Sequence, residues 1–221
     1  MRFKFSIRDA FIVVIAIIPL SYLAVVYPSL PSTVAIHFDL SGKPDNFGAK
    51  IDLVYSTLTL SMVALGIYLL LNYLPQIDPK KTARLGQPVF KKISVALVVV
   101  LSVFNILIIY ASAHGSLQLS KLVFPFAGLF MSYMGNLMHS IKPNYFVGIR
   151  VPWTLEDPDN WRVTHQLAGK LFFVGGIVLA ISTLLLPPKA ALVVFISGII
   201  VMVLIPVVYS FVYFKKHDSI K

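Results

Sequence analysis

The sequence contains no cysteine, which excludes disulfide bridges and thiolate chemistry. Charged residues are also scarce: they make up 13% of the 221 residues, whereas 57% of the residues are hydrophobic. The surface of a water-soluble domain needs more charge than this, so the composition excludes that class and indicates a membrane protein.

Acidic residues are few, and none lies in the middle of an apolar run. The nine are Asp9, Asp39, Asp45, Asp52, Asp78, Glu156, Asp157, Asp159 and Asp218. Coupled transporters mark their pathways with ionisable groups inside the membrane, so this placement argues against a coupled pump or a hydrolase with paired carboxylates. The chain also lacks a Walker loop, a Gly-x-Ser-x-Gly elbow and a His-Glu-x-x-His helix. We therefore predict no enzyme activity, no cofactor and no metal site.

Six apolar stretches approach or exceed the roughly 20 residues that cross a hydrocarbon core of about 30 Å. They cover residues 10–27, 53–74, 93–112, 122–140, 167–186 and 190–214. The first is longer than the apolar region of a typical cleaved signal peptide, so we interpret it as an uncleaved anchor. The sequence predicts an all-α integral membrane protein with six transmembrane helices, located in the cell membrane.

The basic residues are distributed asymmetrically between alternate loops. Of the 19 lysines and arginines, 15 fall in the two termini, the loop at 75–92 and the connector at 139–170, and the others are Lys43, Lys50, Lys121 and Lys189. By the positive-inside rule, both termini and the connector are cytoplasmic. The net charge of +10 is then explained by topology, with the lipid bilayer rather than nucleic acid as the partner.

The spans fall into two predicted parts. Residues 1–75 form a two-span unit with an outside loop at 28–52, and residues 76–221 form a four-span unit with a connector at 135–176. The basic loop at 75–92 is either a solvated linker or a docking surface for a cytosolic regulator.

The outside loop is the only sizeable region predicted to face outward, so it is the natural contact for an external ligand. Val34, Ile36 and Phe38 alternate with polar residues, which is typical of a strand, and turn residues follow. His37 and Asp39 together are too few to form a metal site. The candidate ligand-binding residues here are His37, Asp39, Gly42, Pro44 and Asp45.

Small and polar residues in the third and fourth spans suggest helix contacts. Asn105 is expected to form a hydrogen bond with a neighbouring helix. Gly128, Ser132, Asn136 and Ser140 recur every four residues and predict a close helix seam. Asn136 and nearby His139 either belong to this packed seam or form a ligand site.

The connector is the least generic part of the chain. Pro143, Pro152 and Pro158 exclude one continuous helix, and Gly148 permits a backbone state that other residues avoid. Tyr145, Trp153 and Trp161 suggest aromatic anchors at headgroup depth. Arg150 is expected to pair with Glu156, Asp157 or Asp159, or to clamp a lipid phosphate.

A long helix is predicted to follow the connector. Asp157 and Pro158 are suited to the cap and the first position of a helix that continues to Leu186. Along it, Trp161, His165 and Gly169 share one face that meets another element. A neighbouring polar stripe of Arg162, Gln166 and Lys170 is predicted to stay exposed to solvent.

These residues resemble the signature of the SdpI family, bacterial integral membrane proteins named for immunity to a secreted killing-factor peptide. The resemblance runs through Gly135-Asn136-Leu137-Met138, Lys142 to Thr154, Trp161 to His165, Gly169-Lys170 and Gly175-Gly176. The outside loop resembles a short domain of unknown function that often precedes this family. Val151 and Gln166 depart from the family pattern, in which threonine and arginine are usual.

The resemblance implies immunity to a membrane-active peptide toxin as the function. Two alternatives are a membrane-anchored sensor that engages a cytosolic regulator, and a small membrane enzyme or uncoupled transporter around His139, Arg150 and His165. The signature residues that are candidates for ligand binding are Asn136, His139, Pro143, Asn144, Gly148, Arg150, Pro152, Trp153, Thr154, Trp161, Thr164, His165 and Gly169.

The charge asymmetry predicts which side of the membrane the connector faces. A reporter tag placed near residue 155 is expected to be inaccessible from outside intact cells and to become accessible after permeabilisation. The same tag placed next to Lys43, in the outside loop, is the matched control and should react in intact cells. Reaction of the tag near residue 155 in intact cells would contradict the topology.

Overall fold

The computed structural model of the chain describes residues 6–39, 42–77, 87–115 and 119–218. The helices are α1 (Ile7–Val26), α2 (Lys50–Ile77), α3 (Gln87–His114), α4 (Phe124–Met138), α5 (Pro152–Glu156), α6 (Pro158–Leu185) and α7 (Pro188–Asp218). A 3-10 turn at Tyr27–Ser29 leads to strands β1 (Thr33–Phe38) and β2 (Pro44–Ala49), and a π-helical turn at Leu119–Val123 precedes α4.

The predicted class, an all-α integral membrane protein, is confirmed. Among the described residues, the helices α1, α2, α3, α6 and α7 are long and apolar enough to cross a bilayer. In each, only 22% to 39% of the most apolar window is buried by protein, which leaves the rest for lipid. The predicted fourth span falls on α4, whose 15 residues are shorter than the roughly 20 that a span needs. The count of six and the cytoplasmic placement of both ends stay predictions.

The chain divides into two compact units. One contains Met1–Asn72 with Lys91–Leu119, and the other contains Tyr73–Phe90 with Ser120–Lys221. The domain boundary predicted near residue 75 stays a prediction. Residues 78–86, which form most of the predicted basic docking loop, lie outside the described part of the chain.

Two buried clusters hold the first unit together. One contains Ile12, Ala16, Ala64, Tyr68 and Val98, and the other contains Leu23, Leu30, Val34, Leu53 and Ile109. The Nδ2 amide of Asn105 in α3 donates to the Thr57 carbonyl of α2 at 3.1 Å and to the Ser61 hydroxyl at 3.4 Å. The predicted contact of Asn105 with a neighbouring helix is therefore confirmed.

The outside loop folds into an antiparallel hairpin that is attached to α3. Ala35 pairs with Phe47 and His37 pairs with Asn46, so Ile36 falls in an irregularity of the register. Val34 and Ala35 are both buried whereas Ile36 is 36% exposed, so the predicted strict alternation is wrong at the bulge. The hydroxyl of Ser112 donates to the Ala35 carbonyl at 2.7 Å and anchors the strand.

The two acidic residues of the hairpin have different hydrogen-bond partners. The Nδ1 atom of His37 lies 2.6 Å from the Oδ1 atom of Asp45, on the facing strand, rather than beside Asp39. Asp39 accepts a hydrogen bond from the backbone N–H of Lys43 at 2.9 Å and so closes the turn. The two acids therefore have separate roles, one across the strands and one in the turn.

The second unit is organised by direct contact between antiparallel α4 and α6. A Cβ added at Gly176 would lie 2.5 Å from the Gly128 carbonyl oxygen and 2.5 Å from the Ser132 nitrogen. A Cβ at Gly135 would lie 2.3 Å from the backbone nitrogen of Phe173. The seam therefore follows Gly128, Ser132 and Gly135 on α4.

The predicted seam is thus wrong at its end. Asn136 and Ser140 are exposed, whereas Gly135 is buried. A helix has 3.6 residues per turn, so each step of four residues rotates about 40° beyond a full turn. Two such steps carry Asn136 roughly 80° away from Gly128, off the contact face, and Ser140 lies beyond Met138, where α4 ends.

The glycine seam predicts a selective loss of stability. Gly176→Ala is expected to lower the free energy of unfolding by about 1–3 kcal/mol, because the added methyl group forces two backbones apart. Gly66→Ala is the matched control, because no other described part of the chain, apart from the local backbone of its own helix, lies within 4 Å of the position that its Cβ would occupy. Thermal unfolding of the purified proteins in detergent measures both, and equal midpoints would contradict direct helix contact.

Candidate functional site: the folded connector

The connector starts with a turn that Asn144 organises. The Asn144 side chain is 1% exposed, and its Oδ1 accepts from the backbone N–H groups of Phe146 and Val147, both at 2.8 Å. Its Nδ2 donates to the carbonyls of Lys142 at 2.8 Å and Val147 at 3.0 Å. One side chain thus satisfies several backbone groups of a segment that Pro143 prevents from being helical.

His165 joins α6 to the connector. Its Nδ1 atom lies 2.8 Å from the Trp161 carbonyl, one turn earlier, and its Nε2 accepts from the backbone N–H of Ile149 at 3.0 Å. A carbonyl on one side and an N–H on the other fix the neutral tautomer that carries its proton on Nδ1. The ring is 1% exposed and stacks on Trp161 with centroids 4.1 Å apart.

Gly148 permits this contact. It has a φ of +118°, which disfavours any residue with a side chain, and a Cβ there would lie 2.4 Å from the His165 Nε2. The expected special backbone state at Gly148 is present, and its reason is the close approach of the imidazole. The predicted buried face of Trp161, His165 and Gly169 is confirmed, since all three are buried.

Thr154 closes the next part of the connector. It is fully buried, and its hydroxyl accepts from the Val151 N–H at 3.2 Å and donates to the Ile149 carbonyl at 2.8 Å. Val151 is extended with φ of −104°, and Pro152 starts the short helix α5. Asp157 then caps α6 by accepting from the Asp159 N–H at 2.8 Å, so the predicted helix start is confirmed.

The connector is bound to α7 through Ser210, a residue that the sequence reasoning missed. The Ser210 hydroxyl accepts from Trp153 Nε1 at 2.8 Å, and its carbonyl accepts from Asn160 Nδ2 at 3.0 Å. The hydroxyl of Thr164 in turn donates to Asn160 Oδ1 at 3.0 Å. The sequence does carry a signal for Ser210, because a hydroxyl within an apolar helix often forms a hydrogen bond with a neighbouring element.

The two tryptophans are not equivalent anchors. Trp161 is 2% exposed and donates to the Ile141 carbonyl at 2.8 Å, so it faces protein, and the headgroup depth expected for it stays a prediction. Trp153 is half-buried and packs against Phe211 and Phe214 of α7. Tyr145 is 43% exposed.

Arg150 forms a contact within the connector. Its Nη1 donates to the Tyr145 carbonyl at 2.5 Å, and its side chain is exposed. Among the residues that the structure describes, no acid forms an ion pair with Arg150, and Asp159 pairs with Arg162 at 3.2 Å instead. The expected pairing of Arg150 with an acid is therefore not seen.

The candidate residues fall into three places. Asn144, Gly148, Thr154, Trp161, Thr164 and His165 form the buried connector cluster, and Trp153 links it to α7. Asn136 and His139 instead line an open groove with Gly169, so His139 and His165 do not meet. The hairpin residues belong to the other unit. Because the polar atoms of the cluster bond to one another and to backbone, its chemistry maintains the shape of the connector.

The fold and this site define a multi-pass cell-membrane protein with a structured connector between α4 and α6. Two family models match it: the SdpI/YfhL protein family over residues 140–213, and a domain of unknown function, DUF1648, over residues 14–56. The resemblance to the SdpI family and to its N-terminal companion domain is therefore confirmed.

A curated relative matches along almost the whole chain. It is the Immunity protein SdpI of Bacillus subtilis (strain 168), which is 25% identical over 207 residues, covering 93% of this chain and 96% of the relative. No solved structure matches the chain. The chain is thus similar to an immunity protein from the hairpin to the end of the connector.

The two histidines provide a test of the connector cluster. His165→Phe keeps a ring against Trp161 but leaves the Ile149 N–H without its acceptor, which is expected to cost about 1–3 kcal/mol of stability. His139→Phe changes an exposed residue on α4 and should stay within about 0.5 kcal/mol. Thermal unfolding in detergent compares the two, and similar loss in both would contradict the assigned role of His165.

Proposed function

We propose that the protein protects its cell from a secreted, membrane-active peptide toxin, without enzymatic chemistry. The observation that carries this proposal is the similarity to an immunity protein over 93% of the chain, which includes both the hairpin and the connector. A relative that shared only the membrane spans would support a membrane location and nothing more.

The hairpin is the surface best suited to capture such a peptide. Phe47 is 59% exposed and Ile36 is 36% exposed, although the rest of the hairpin is anchored by buried Val34 and by Ser112. The outer edge of a strand in a two-stranded sheet can pair with another chain, and β2 offers such an edge, since the Ala35 carbonyl of β1 already accepts from Ser112. An extended peptide can pair with such an edge and place an apolar side chain on the exposed aromatic ring.

The physical setting favours capture without a pore. A membrane-active toxin lies in the same bilayer as the protein, so the two meet by diffusion in two dimensions. The apolar surfaces of the helices face the same lipid, and the hairpin at the predicted outer surface adds contacts that lipid does not offer. The toxin is then held away from the rest of the membrane.

The proposal is tested by survival of sensitive cells that express the chain. The challenge is a concentrated culture supernatant of the organism from which the chain comes, in an amount that kills cells with an empty vector, and the protein should raise survival over those cells. Unchanged killing, at membrane expression verified by immunoblot, would count against immunity.

A pair of variants tests the capture surface. Phe47→Ser removes an exposed aromatic contact and is expected to cost about 2 kcal/mol of binding, roughly a thirtyfold loss of affinity, so protection should fall. Tyr145→Ser removes an exposed aromatic ring from the connector, on the predicted cytoplasmic side, and should protect like the parent at matched abundance. Full protection by Phe47→Ser would exclude the hairpin as the capture surface.

A further inference from the structure

A groove between α4 and α6 is not used by the connector cluster. Its volume is about 500 Å³, and it lies where the two helices meet the connector. Gly135 and Gly169 form its floor, because the helix backbones touch there. The walls are formed by Asn136, His139, Gln166, Lys170 and Phe173.

The polar end of the groove is rich in hydrogen-bond donors. Asn136 and Gln166 offer amide N–H₂ groups, His139 offers a ring nitrogen, and Lys170 offers an ammonium group. All four side chains are exposed, and none of them forms a hydrogen bond or ion pair with any other residue that the structure describes. The groove lining contains no carboxylate. Such a set of donors around one lysine cation suits a phosphate.

The other end of the groove is apolar. On α6, Lys170 is followed one turn later by Phe173, which is 45% exposed. On α4, Asn136 is preceded on the same face by Tyr133 and Leu129, which are 41% and 56% exposed. Because α4 and α6 are antiparallel, both helices change from polar to apolar in the same direction, away from the connector.

We propose that this groove binds the headgroup phosphate of one anionic phospholipid. Lys170 Nζ and the amides of Asn136 and Gln166 hold the phosphate oxygens, and an acyl chain lies along Phe173 and Tyr133. The polar-to-apolar gradient identifies a lipid rather than a soluble phosphate as the occupant. This site is independent of toxin capture by the hairpin, which belongs to the other unit.

Native mass spectrometry of the delipidated full-length chain in a neutral detergent tests the site. Phosphatidylglycerol is expected to give one tightly held adduct, whereas phosphatidylcholine of the same acyl chains should bind more weakly. Inorganic phosphate at the same concentration should not displace the lipid. Equal binding of the two lipids would overturn the recognition of an anionic headgroup, and displacement by inorganic phosphate would indicate a site for free phosphate instead.

Three variants assign the adduct to the groove. Lys170→Ala is expected to weaken phosphatidylglycerol binding about tenfold, because a charge-assisted hydrogen bond is lost. Gln166→Arg adds a guanidinium beside the phosphate and should tighten binding, a gain that misfolding cannot produce. Lys189→Ala removes an exposed lysine at the start of α7 and is the matched control. Unchanged affinity in both groove variants would overturn the proposal.

Discussion

Direct contact between the backbones of α4 and α6 is the constraint on which the second unit depends. Lipid is as apolar as leucine, so helices in a bilayer gain little from burying apolar side chains against each other, and close packing must supply the attraction. Gly128 and Gly176 allow that packing in one part of the seam, and Gly135 and Gly169 allow it near the connector. Since the two helices touch at Gly135 and Gly169, the intervening chain must fold back over a short distance, and His165, one turn before Gly169, is brought against Gly148.

The irregular backbone of the connector explains why its buried side chains are polar. Buried backbone N–H and C=O groups need partners inside the protein, and in the connector no regular helix pairs them. Asn144, Thr154 and His165 each bond to backbone groups of the connector, and Trp161 bonds to the Ile141 carbonyl. These residues therefore replace the hydrogen bonds that a regular helix would have supplied.

Sequence reasoning succeeded where a local rule determines the structure. The cap at Asp157, the break at the prolines and the buried face of Trp161 and His165 all follow from neighbours within a few turns. It failed where the structure at a residue depends on segments that are distant in the sequence. The bulge at Ile36 depends on the register of the facing strand. The role of Ser210 depends on the positions of Trp153 on α5 and Asn160 on α6. The contact at Gly135 could have been predicted from the sequence, because a helix of 3.6 residues per turn places Gly135 rather than Asn136 on the same face as Gly128.

The polar groups of the connector cluster and those of the groove differ in burial, and this difference separates residues that maintain the fold from residues that can bind a ligand. Those of the connector cluster are buried and paired, so a ligand would have to displace a bond that already exists at Asn144, Thr154 or His165. Those of the groove, such as Lys170 and Gln166, are exposed and can bond to a ligand without that cost. Most of the polar residues in the sequence signature are buried and paired. Such residues are needed for the fold whichever ligand the exposed surfaces bind, so the signature predicts the fold more reliably than the ligand. Differences in ligand between relatives should therefore be sought in the exposed residues of the groove and of the hairpin rather than in the buried residues of the connector cluster.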